Sequence, residues 1–177
     1  MPFTVAPMQR RDAEAVAGLW RAYMTELYRE AGHMTSEVFL RDGLGAAFDT
    51  LVAKGADGSP VGVAVWWMTY DVHHGARGGE IPDMFVEPSA RGLGVAVQLI
   101  AAAALQVRER GGVFLRAPAT HANAQRLVRS GRLNGAFPLV AVYWGERLFA
   151  ALADNADADP RTLARRLAVA KVGPLVE

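Results

Sequence analysis

The spacing of apolar residues predicts two helices followed by two strands in the first part of the chain. From Gln9 to Glu30, apolar residues recur every three or four positions, which predicts a helix with one buried face. A second, shorter helix is expected from Ser36. Thr50 to Lys54 and Val61 to Tyr70 follow as antiparallel strands joined by a turn over residues 56–60. The second strand is apolar on both faces, as is typical of a central strand.

The next part of the chain begins with a strand, a turn and a long helix. The strand covers Ile81 to Val86, Pro88 ends it, and helix-forming sequence runs from Val95. Residues 71–79 contain two histidines and three glycines and are predicted to form a loop. The other predicted elements are strands at Phe3–Ala6 and Val113–Ala117, a short helix at His121–Arg129, a hairpin of Phe137–Trp144 with Arg147–Leu152, and a C-terminal helix at Asp157–Ala170.

The turn that opens the long helix has features of a phosphate-binding site. Gly92 and Gly94 present no side chain to a ligand that approaches the backbone. The main-chain amides from Gly92 to Ala96 would be unpaired at the start of the helix, where the helix dipole also favours a negative charge. Arg91 adds a positive charge at the same turn. The alternative is an ordinary strand–turn–helix in which the glycines serve only the turn.

Two common phosphate-binding motifs are excluded. No Gly-Lys-Ser/Thr follows the glycines, so the turn is not a Walker loop. Val97 stands where the dinucleotide-binding fingerprint has its third glycine, so that motif is absent as well.

The joined pattern resembles the signature of the GNAT family of N-acetyltransferases. That signature is a strand of the type Asp-Leu-x-Val, then a proline, then Arg/Gln-x-x-Gly-x-Gly/Ala at the start of a long helix. The matching residues here are Asp83-Met84-Phe85-Val86, Pro88 and Arg91-Gly92-Leu93-Gly94-Val95-Ala96. The predicted order of elements follows the family from Phe3 to about Leu152, and the last helix falls outside it.

The resemblance implies an α/β fold with a mixed, mostly antiparallel central sheet and helices on both faces. The sheet would splay between its fourth and fifth strands. Residues 1–155 would form the acetyltransferase domain, and residues 156–177 a helical tail that packs on it or on a partner subunit.

The resemblance also implies an acetyl-CoA-dependent N-acyltransferase, in which an amine attacks acetyl-CoA directly within a ternary complex. In the family, coenzyme A binds in the gap between the splayed strands. One amide near Phe85 would polarise the thioester carbonyl, a role of the oxyanion-hole type. The coenzyme A-binding residues carried over are Met84, Phe85 and Val86 for the pantetheine arm, Arg91, Gly92, Leu93, Gly94, Val95 and Ala96 for the pyrophosphate, and Asn123 on the later helix.

Candidate acid–base residues depart from the family pattern. An amine with a pKa of about 10.4 must lose a proton before it attacks, at a cost on the order of 4 kcal/mol at neutral pH. Asp83 matches the family's acidic position, whereas Pro82 stands where relatives often carry a glutamate. Glu80 and the loop histidines, His73 and His74, are the alternative bases. A structural role on the strand or a solvated surface position is the competing interpretation for each.

The residue that serves as general acid in the family is also missing from this sequence. The helix tyrosine that protonates the leaving thiolate in relatives is absent, and Tyr143 on the closing hairpin is the nearest replacement, with core packing as its other interpretation. General acid help is worth a factor of about 10²–10⁴, and a thiol with a pKa of about 8.5 leaves comparatively easily. The aromatic and histidine side chains that would line an acceptor pocket, or pack in the core, are Tyr23, Tyr28, His33, Trp66 and Trp67.

The composition of the chain limits the classes of molecule that it is expected to bind. The chain has 177 residues, a formal net charge of +1 and no long basic run, so a nucleic-acid partner is not expected. The absence of cysteine excludes disulfides and fits a reducing cytoplasm, and no Cys/His spacing predicts a metal. No apolar run is long enough to span a membrane. The expected partner is a small-molecule or peptide amine, and a homodimer through the apolar residues 163–172 is one option for assembly.

One rival belongs to a different functional class. A non-catalytic acyl-CoA-binding or interaction module would keep the glycine turn and lose the acid–base residues. Pro82 and the missing helix tyrosine favour this alternative. An enzyme that takes longer acyl chains is a third interpretation.

Overall fold

A computed structural model describes residues 3–72, 75–119 and 140–144 of the chain. Short 3-10 turns at Arg10–Asp12 and Pro88–Ala90 precede the first and third helices. The helices are α1 (Ala13–Tyr28), α2 (Ser36–Asp42) and α3 (Val95–Glu109). The strands are β1 (Thr4–Pro7), β2 (Asp49–Lys54), β3 (Pro60–Asp71), β4 (Ala76–Val86), β5 (Leu115–Ala119) and β6 (Val140–Trp144).

The strands form one mixed sheet in the order β1-β2-β3-β4-β5-β6. β1 pairs antiparallel with β2, β2 with β3, and β5 with β6, whereas β4 and β5 run parallel. The parallel pairing places Gly79 opposite Leu115 and Glu80 opposite Arg116. The predicted fold class, a mostly antiparallel mixed sheet with surrounding helices, is therefore confirmed. The parallel pairs lie before residues 83–86, where the splay was predicted, and the splay itself stays a prediction.

The loop predicted for residues 71–79 is wrong at both of its ends. β3 continues to Asp71 and β4 already begins at Ala76. Gly79 lies inside β4 because the strand packs tightly there: a Cβ at this position would lie 2.2 Å from Cγ2 of Val107. Its neighbour Gly78 is packed in the same way against the ring of Phe114. The lack of a side chain at Gly78 and Gly79 lets the side chains of Phe114 and Val107 pack against the strand, and the two glycines do not form a turn.

Other boundaries differ by a few residues. α1 begins at Ala13, because Arg10–Asp12 forms a 3-10 turn in which the Gln9 amide donates to the Asp12 carboxylate at 3.0 Å. β5 begins at Leu115, two residues later than predicted. Three further predictions lie outside the described residues: the helix at His121–Arg129, the strand at Arg147–Leu152, and the tail from residue 156 with its helix.

The chain divides into two compact units. The first comprises residues 1–67 and 83–103, and the second residues 68–82 and 104–177. In the second unit, Val107, Phe114 and Leu115 are buried. In the first unit, the apolar face predicted for α1 packs with side chains of α2 and the sheet in a core of Met8, Val16, Ala17, Leu19, Trp20, Tyr23, Phe39, Val52, Val63, Val65 and Phe85.

Within the part of the chain that the structure describes, no helix has the length and apolar character needed to cross a membrane.

One ion pair fastens the start of α1 to the end of β2. The Lys54 ammonium lies 2.7 Å from the Asp12 carboxylate, and the Asp12 side chain is only 8% exposed. Burial alone would raise the pKa of Asp12, but the hydrogen bonds from Lys54 and from the Gln9 amide outweigh it and hold the pKa below its usual value. The folded state therefore stabilises the ionised form of the Asp12 carboxyl group relative to the unfolded chain.

Replacing Lys54 with methionine is expected to lower the free energy of unfolding by about 1.5–3 kcal/mol at pH 7, because the buried carboxylate loses its charged donor. A carboxyl group whose pKa is depressed on folding stabilises the protein above the unfolded pKa, here about 3.8, and this contribution is lost as the pH falls through the folded value. In urea unfolding, the difference between Lys54→Met and the unaltered chain should shrink from pH 7 to pH 3.

Arg41→Met provides the control. Arg41 pairs with Asp42 at the surface, where its side chain is 70% exposed, so its loss should leave the unfolding midpoint almost unchanged. Equal losses for the two variants, or a loss in Lys54→Met that does not depend on pH, would contradict this account of Asp12.

Candidate functional site

The connection from β4 to α3 is a compact turn whose shape depends on two glycines. After Val86, the Glu87 amide donates to the Val61 carbonyl at 3.0 Å, and the 3-10 turn Pro88–Ala90 follows. Gly92 and Gly94 then adopt φ values of 78° and 91°, in the left-handed region that favours glycine. The turn itself therefore favours glycine at both positions, and their predicted contact with a ligand stays a prediction.

The start of α3 leaves a run of main-chain donors. At the start of the helix, the Gln98 amide donates to the Gly94 carbonyl at 3.2 Å. The amides from Gly92 to Ala96 donate to no acceptor in the described part of the chain. A Cβ added at Gly92 would meet no described atom within 4 Å, so the outer side of the turn is open. Open backbone donors at a helix N-terminus suit an anionic group.

Arg91 is held by contacts within the protein. Its Nε donates to the Val86 carbonyl at 2.9 Å, and its Nη2 lies 2.6 Å from the Glu26 carboxylate of α1. The guanidinium also lies 5.5 Å from the centre of the Phe85 ring, within the range of a cation–π contact. Through these contacts, Arg91 links α1 to the end of β4. Glu26 compensates part of the positive charge that Arg91 adds beside the turn.

Asp83 lies half-buried on β4 and contacts α1. Its Oδ1 accepts a hydrogen bond from the Tyr23 hydroxyl. Burial, together with the hydrogen bond to Asp83 and the charge of that carboxylate, raises the pKa of Tyr23 well above its ordinary value of 10.0. Tyr23 therefore remains a protonated donor at neutral pH, and Asp83 is the acceptor of the pair.

Glu80 belongs to a different set of contacts. Its Oε2 accepts from Nε and Nη2 of Arg116 at 3.0 and 2.6 Å, and Nη2 also lies 3.1 Å from the hydroxyl of Thr69. Arg116 is paired with Glu80 on β4 and with Tyr143 on β6, so these three residues form one row across the strands. The carboxylate of Glu80 is already engaged by a cation, which makes it a less available base than Asp83.

The predicted cofactor contacts on β4 differ in their surroundings. Phe85 is 5% exposed and packs its ring against Tyr23 at 5.9 Å, while Met84 and Val86 are half-buried. In the turn, Leu93 is 40% exposed and Val95 is 1% exposed. Phe85 and Val95 are core side chains, so a ligand could contact these two residues only through their main chain without repacking the core.

Some predicted site residues lie outside the part of the chain that the structure describes. Asn123, His73 and His74 are not among the described residues, and Tyr143 is described only through the pairing of its strand. Among the described residues, no group of three or more histidine or acidic side chains is arranged to hold a metal ion.

Three side chains in these contacts have roles that the sequence did not predict. Tyr23 is expected only as a pocket or core residue, and Glu26 and Arg116 are not expected in the site at all. A signal was present for Arg116, because a charged side chain within an apolar strand needs an acidic partner. A buried tyrosine likewise needs an acceptor for its hydroxyl, although its sequence position does not say which one. Trp66, considered for a pocket, is fully buried.

Comparison with known sequence families identifies a match. Residues 14–131, more than half of the chain, match the sequence model described as Acetyltransferase (GNAT) family. No curated protein sequence matches the chain at a significant level.

Solved structures share the fold. A ribosomal-protein-alanine N-acetyltransferase from Brucella melitensis is 25% identical, with a TM-score of 0.58 over 77% of this chain and 95% of that protein. A transcriptional regulator from Bacillus halodurans is 18% identical, with a TM-score of 0.60 over 77% and 95% of the two chains. An aminoglycoside 6'-N-acetyltransferase from Acinetobacter baumannii is 15% identical, with a TM-score of 0.56 over 77% and 92%.

The raised pKa of Tyr23 leads to an expectation at alkaline pH. A group whose pKa is raised on folding contributes stability that is present below the unfolded pKa, here 10.0, and is lost as the pH rises towards the folded value. Above pH 10, the free energy of unfolding should therefore fall more steeply in the unaltered chain than in Tyr23→Phe, by up to about 1.4 kcal/mol per pH unit. Urea unfolding between pH 8 and pH 11 measures both slopes.

Tyr70→Phe is the matched control, because Tyr70 is 55% exposed and its variant loses the same hydroxyl group. Its slope should follow that of the unaltered chain. If Tyr23→Phe showed the same slope as well, the Tyr23 hydroxyl would not be held in its protonated form by the fold.

Proposed function

This chain belongs to the acetyltransferase (GNAT) family, and from that premise we propose that it transfers an acetyl group from acetyl-CoA to an amine acceptor by direct attack in a ternary complex. The observation that carries the proposal is the connection from β4 to α3, where the consecutive main-chain amides of Gly92 to Ala96 have no acceptor among the described residues. Together with the family match, this turn supports coenzyme A as the ligand.

The residues of the turn fit the cofactor that the family implies. The amides from Gly92 to Ala96 suit a pyrophosphate, since they have no acceptor among the described residues and the space beside Gly92 is open. The main chain of Met84 to Val86 would hold the pantetheine arm. Bound acetyl-CoA supplies the thioester whose carbonyl carbon the amine attacks.

Asp83 is the proposed general base. Tyr23 occupies Oδ1, and Oδ2 has no hydrogen-bond partner among the described residues, so it is available to accept a proton from the ammonium group of the acceptor. Glu80 is the weaker candidate because Arg116 already donates two hydrogen bonds to its Oε2. A positioned carboxylate of this kind is worth a factor of about 10²–10⁴ in rate.

Tyr143 remains the proposed general acid. Its strand position opposite Arg116 supports a location in the same row as Glu80. The thiolate leaving group needs only modest help because the pKa of a thiol is about 8.5. Catalysis would thus depend more on Asp83 than on Tyr143.

The acceptor class is tested by thiol release from acetyl-CoA with a panel of amines. Two members of the panel follow the names of similar structures: a peptide with an N-terminal alanine and an aminoglycoside. Spermidine is added as a small amine of a different chemical class. We expect thiol release above the amine-free control with at least one of them, with the acetylated amine identified by mass spectrometry. Binding of acetyl-CoA by calorimetry without release for any amine would favour the rival, a non-catalytic acyl-CoA-binding module.

The amide-based site makes a specific prediction about affinity. Gly94→Val should raise the Kd for acetyl-CoA by about a hundredfold or more, because valine strains the backbone at φ 91° and displaces two or more amides worth about 1.5–3 kcal/mol each to a charged group. Arg91→Ala should raise the Kd by less than about tenfold, since exposed ion pairs contribute about 0.2–1 kcal/mol and Glu26 already compensates this charge. Isothermal titration calorimetry measures both.

Gly58→Val is the control for backbone strain. Gly58 also has a positive φ, of 82°, and open space around it, but it lies in the turn between β2 and β3. Its Kd should equal that of the unaltered chain. A larger effect of Arg91→Ala than of Gly94→Val would show that side-chain charge, and not the main chain, holds the phosphates.

A further inference from the structure

Tyr23 is fixed in place by aromatic packing. Its side chain is 7% exposed, and its ring lies 5.3 Å from Trp20, 5.9 Å from Phe85 and 6.4 Å from Tyr28, between ring centres. A ring packed against several neighbours has few alternative rotamers. The hydroxyl that it carries therefore has a defined position, and that position is against Oδ1 of Asp83.

The other polar groups near Asp83 do not offer the same contact. From α1, the hydroxyl of Tyr28 interacts with the hydroxyl of Tyr23 and contributes to the raised pKa of Tyr23. From the turn, Arg91 lies over the Phe85 ring, but its guanidinium donates to Glu26 and to the Val86 carbonyl. Among the described residues, the Tyr23 hydroxyl is the group that donates a hydrogen bond to Asp83.

We propose that Tyr23 is a positioning residue for the general base: its hydroxyl holds Oδ1 of Asp83, so that the carboxylate keeps one orientation and Oδ2 stays available for the proton of the acceptor amine. This inference rests on the proposed function, in which Asp83 is the base. The proton moves from the ammonium nitrogen to Oδ2, and Tyr23 keeps its own proton throughout.

Two features support positioning over direct proton transfer by Tyr23. Burial and the adjacent carboxylate raise the pKa of Tyr23, so the hydroxyl does not ionise near neutral pH and cannot serve as the base. The hydroxyl already donates its one hydrogen to Asp83, so it has no second hydrogen for a leaving group.

The experiment is a double-mutant cycle on kcat for thiol release, with the amine that gives the highest turnover in the panel. The variants are Tyr23→Phe, Asp83→Asn and the two combined, with Tyr70→Phe as the control for loss of an exposed tyrosine hydroxyl. We expect Tyr23→Phe to lower kcat by 10- to 100-fold with an unchanged KM for acetyl-CoA, and Tyr70→Phe to leave both unchanged. Because Tyr23 acts through Asp83, adding Tyr23→Phe to Asp83→Asn should lower kcat no further.

Two results would overturn the positioning role while leaving the proposed function intact. One is an unchanged kcat in Tyr23→Phe. The other is a fold-loss for Tyr23→Phe that is as large in the Asp83→Asn background as in the unaltered chain, because a merely structural effect does not depend on the carboxylate. If Asp83→Asn alone keeps full kcat, the choice of base in the proposed function fails, and the positioning role fails with it. A lack of thiol release with every amine overturns both.

Asp83→Glu provides a second test should Tyr23→Phe not fold. It keeps Tyr23 and the carboxylate, and it lengthens the side chain by one methylene. A positioned base predicts a loss of kcat similar in size to that of Tyr23→Phe, with the KM for acetyl-CoA unchanged. Full kcat in Asp83→Glu would show that the orientation set by Tyr23 is not needed.

Discussion

The unpaired main-chain donors at the start of α3 are the constraint on which the proposed site depends. A helix that follows a strand through a tight turn must leave its first amides without partners inside the helix. Here Gly92 and Gly94 adopt backbone angles that turn the chain within four residues, and the amides that follow find no acceptor in the described part of the chain. Unpaired amides and the helix dipole at such a terminus both favour a negative charge.

α1 connects this turn to the carboxylate proposed for catalysis. Tyr23 contacts Asp83, and Glu26 contacts Arg91, both from α1. These two residues are three positions apart in a helix, so they lie on neighbouring parts of one face. One helix thus contacts both Asp83 on β4 and the turn that follows that strand. The Asp83 contact joins residues 60 apart in sequence, and the Arg91 contact residues 65 apart.

Local sequence was sufficient for most of the fold. The one-sided helix, the central strands and the glycine turn were all predicted because each depends on neighbours within a few residues. Gly78 and Gly79 were misinterpreted as loop residues, since their reason for being small is a close approach to Phe114 and Val107 more than 25 positions away. The contact between Tyr23 and Asp83 could not be predicted either, because two elements far apart in sequence must first be brought together.

A ligand site made of backbone groups has a consequence for how such proteins diverge. Replacing a side chain by any residue other than proline leaves the peptide N–H in place, so substitutions at most positions around the turn would keep the main-chain donors. Only the few that govern the path of the chain, such as Gly92 and Gly94, are under tight steric restriction. Solved structures that are 15–25% identical to this chain share its fold, and a binding site made of main-chain groups would tolerate that much change in side chains without loss of its donors.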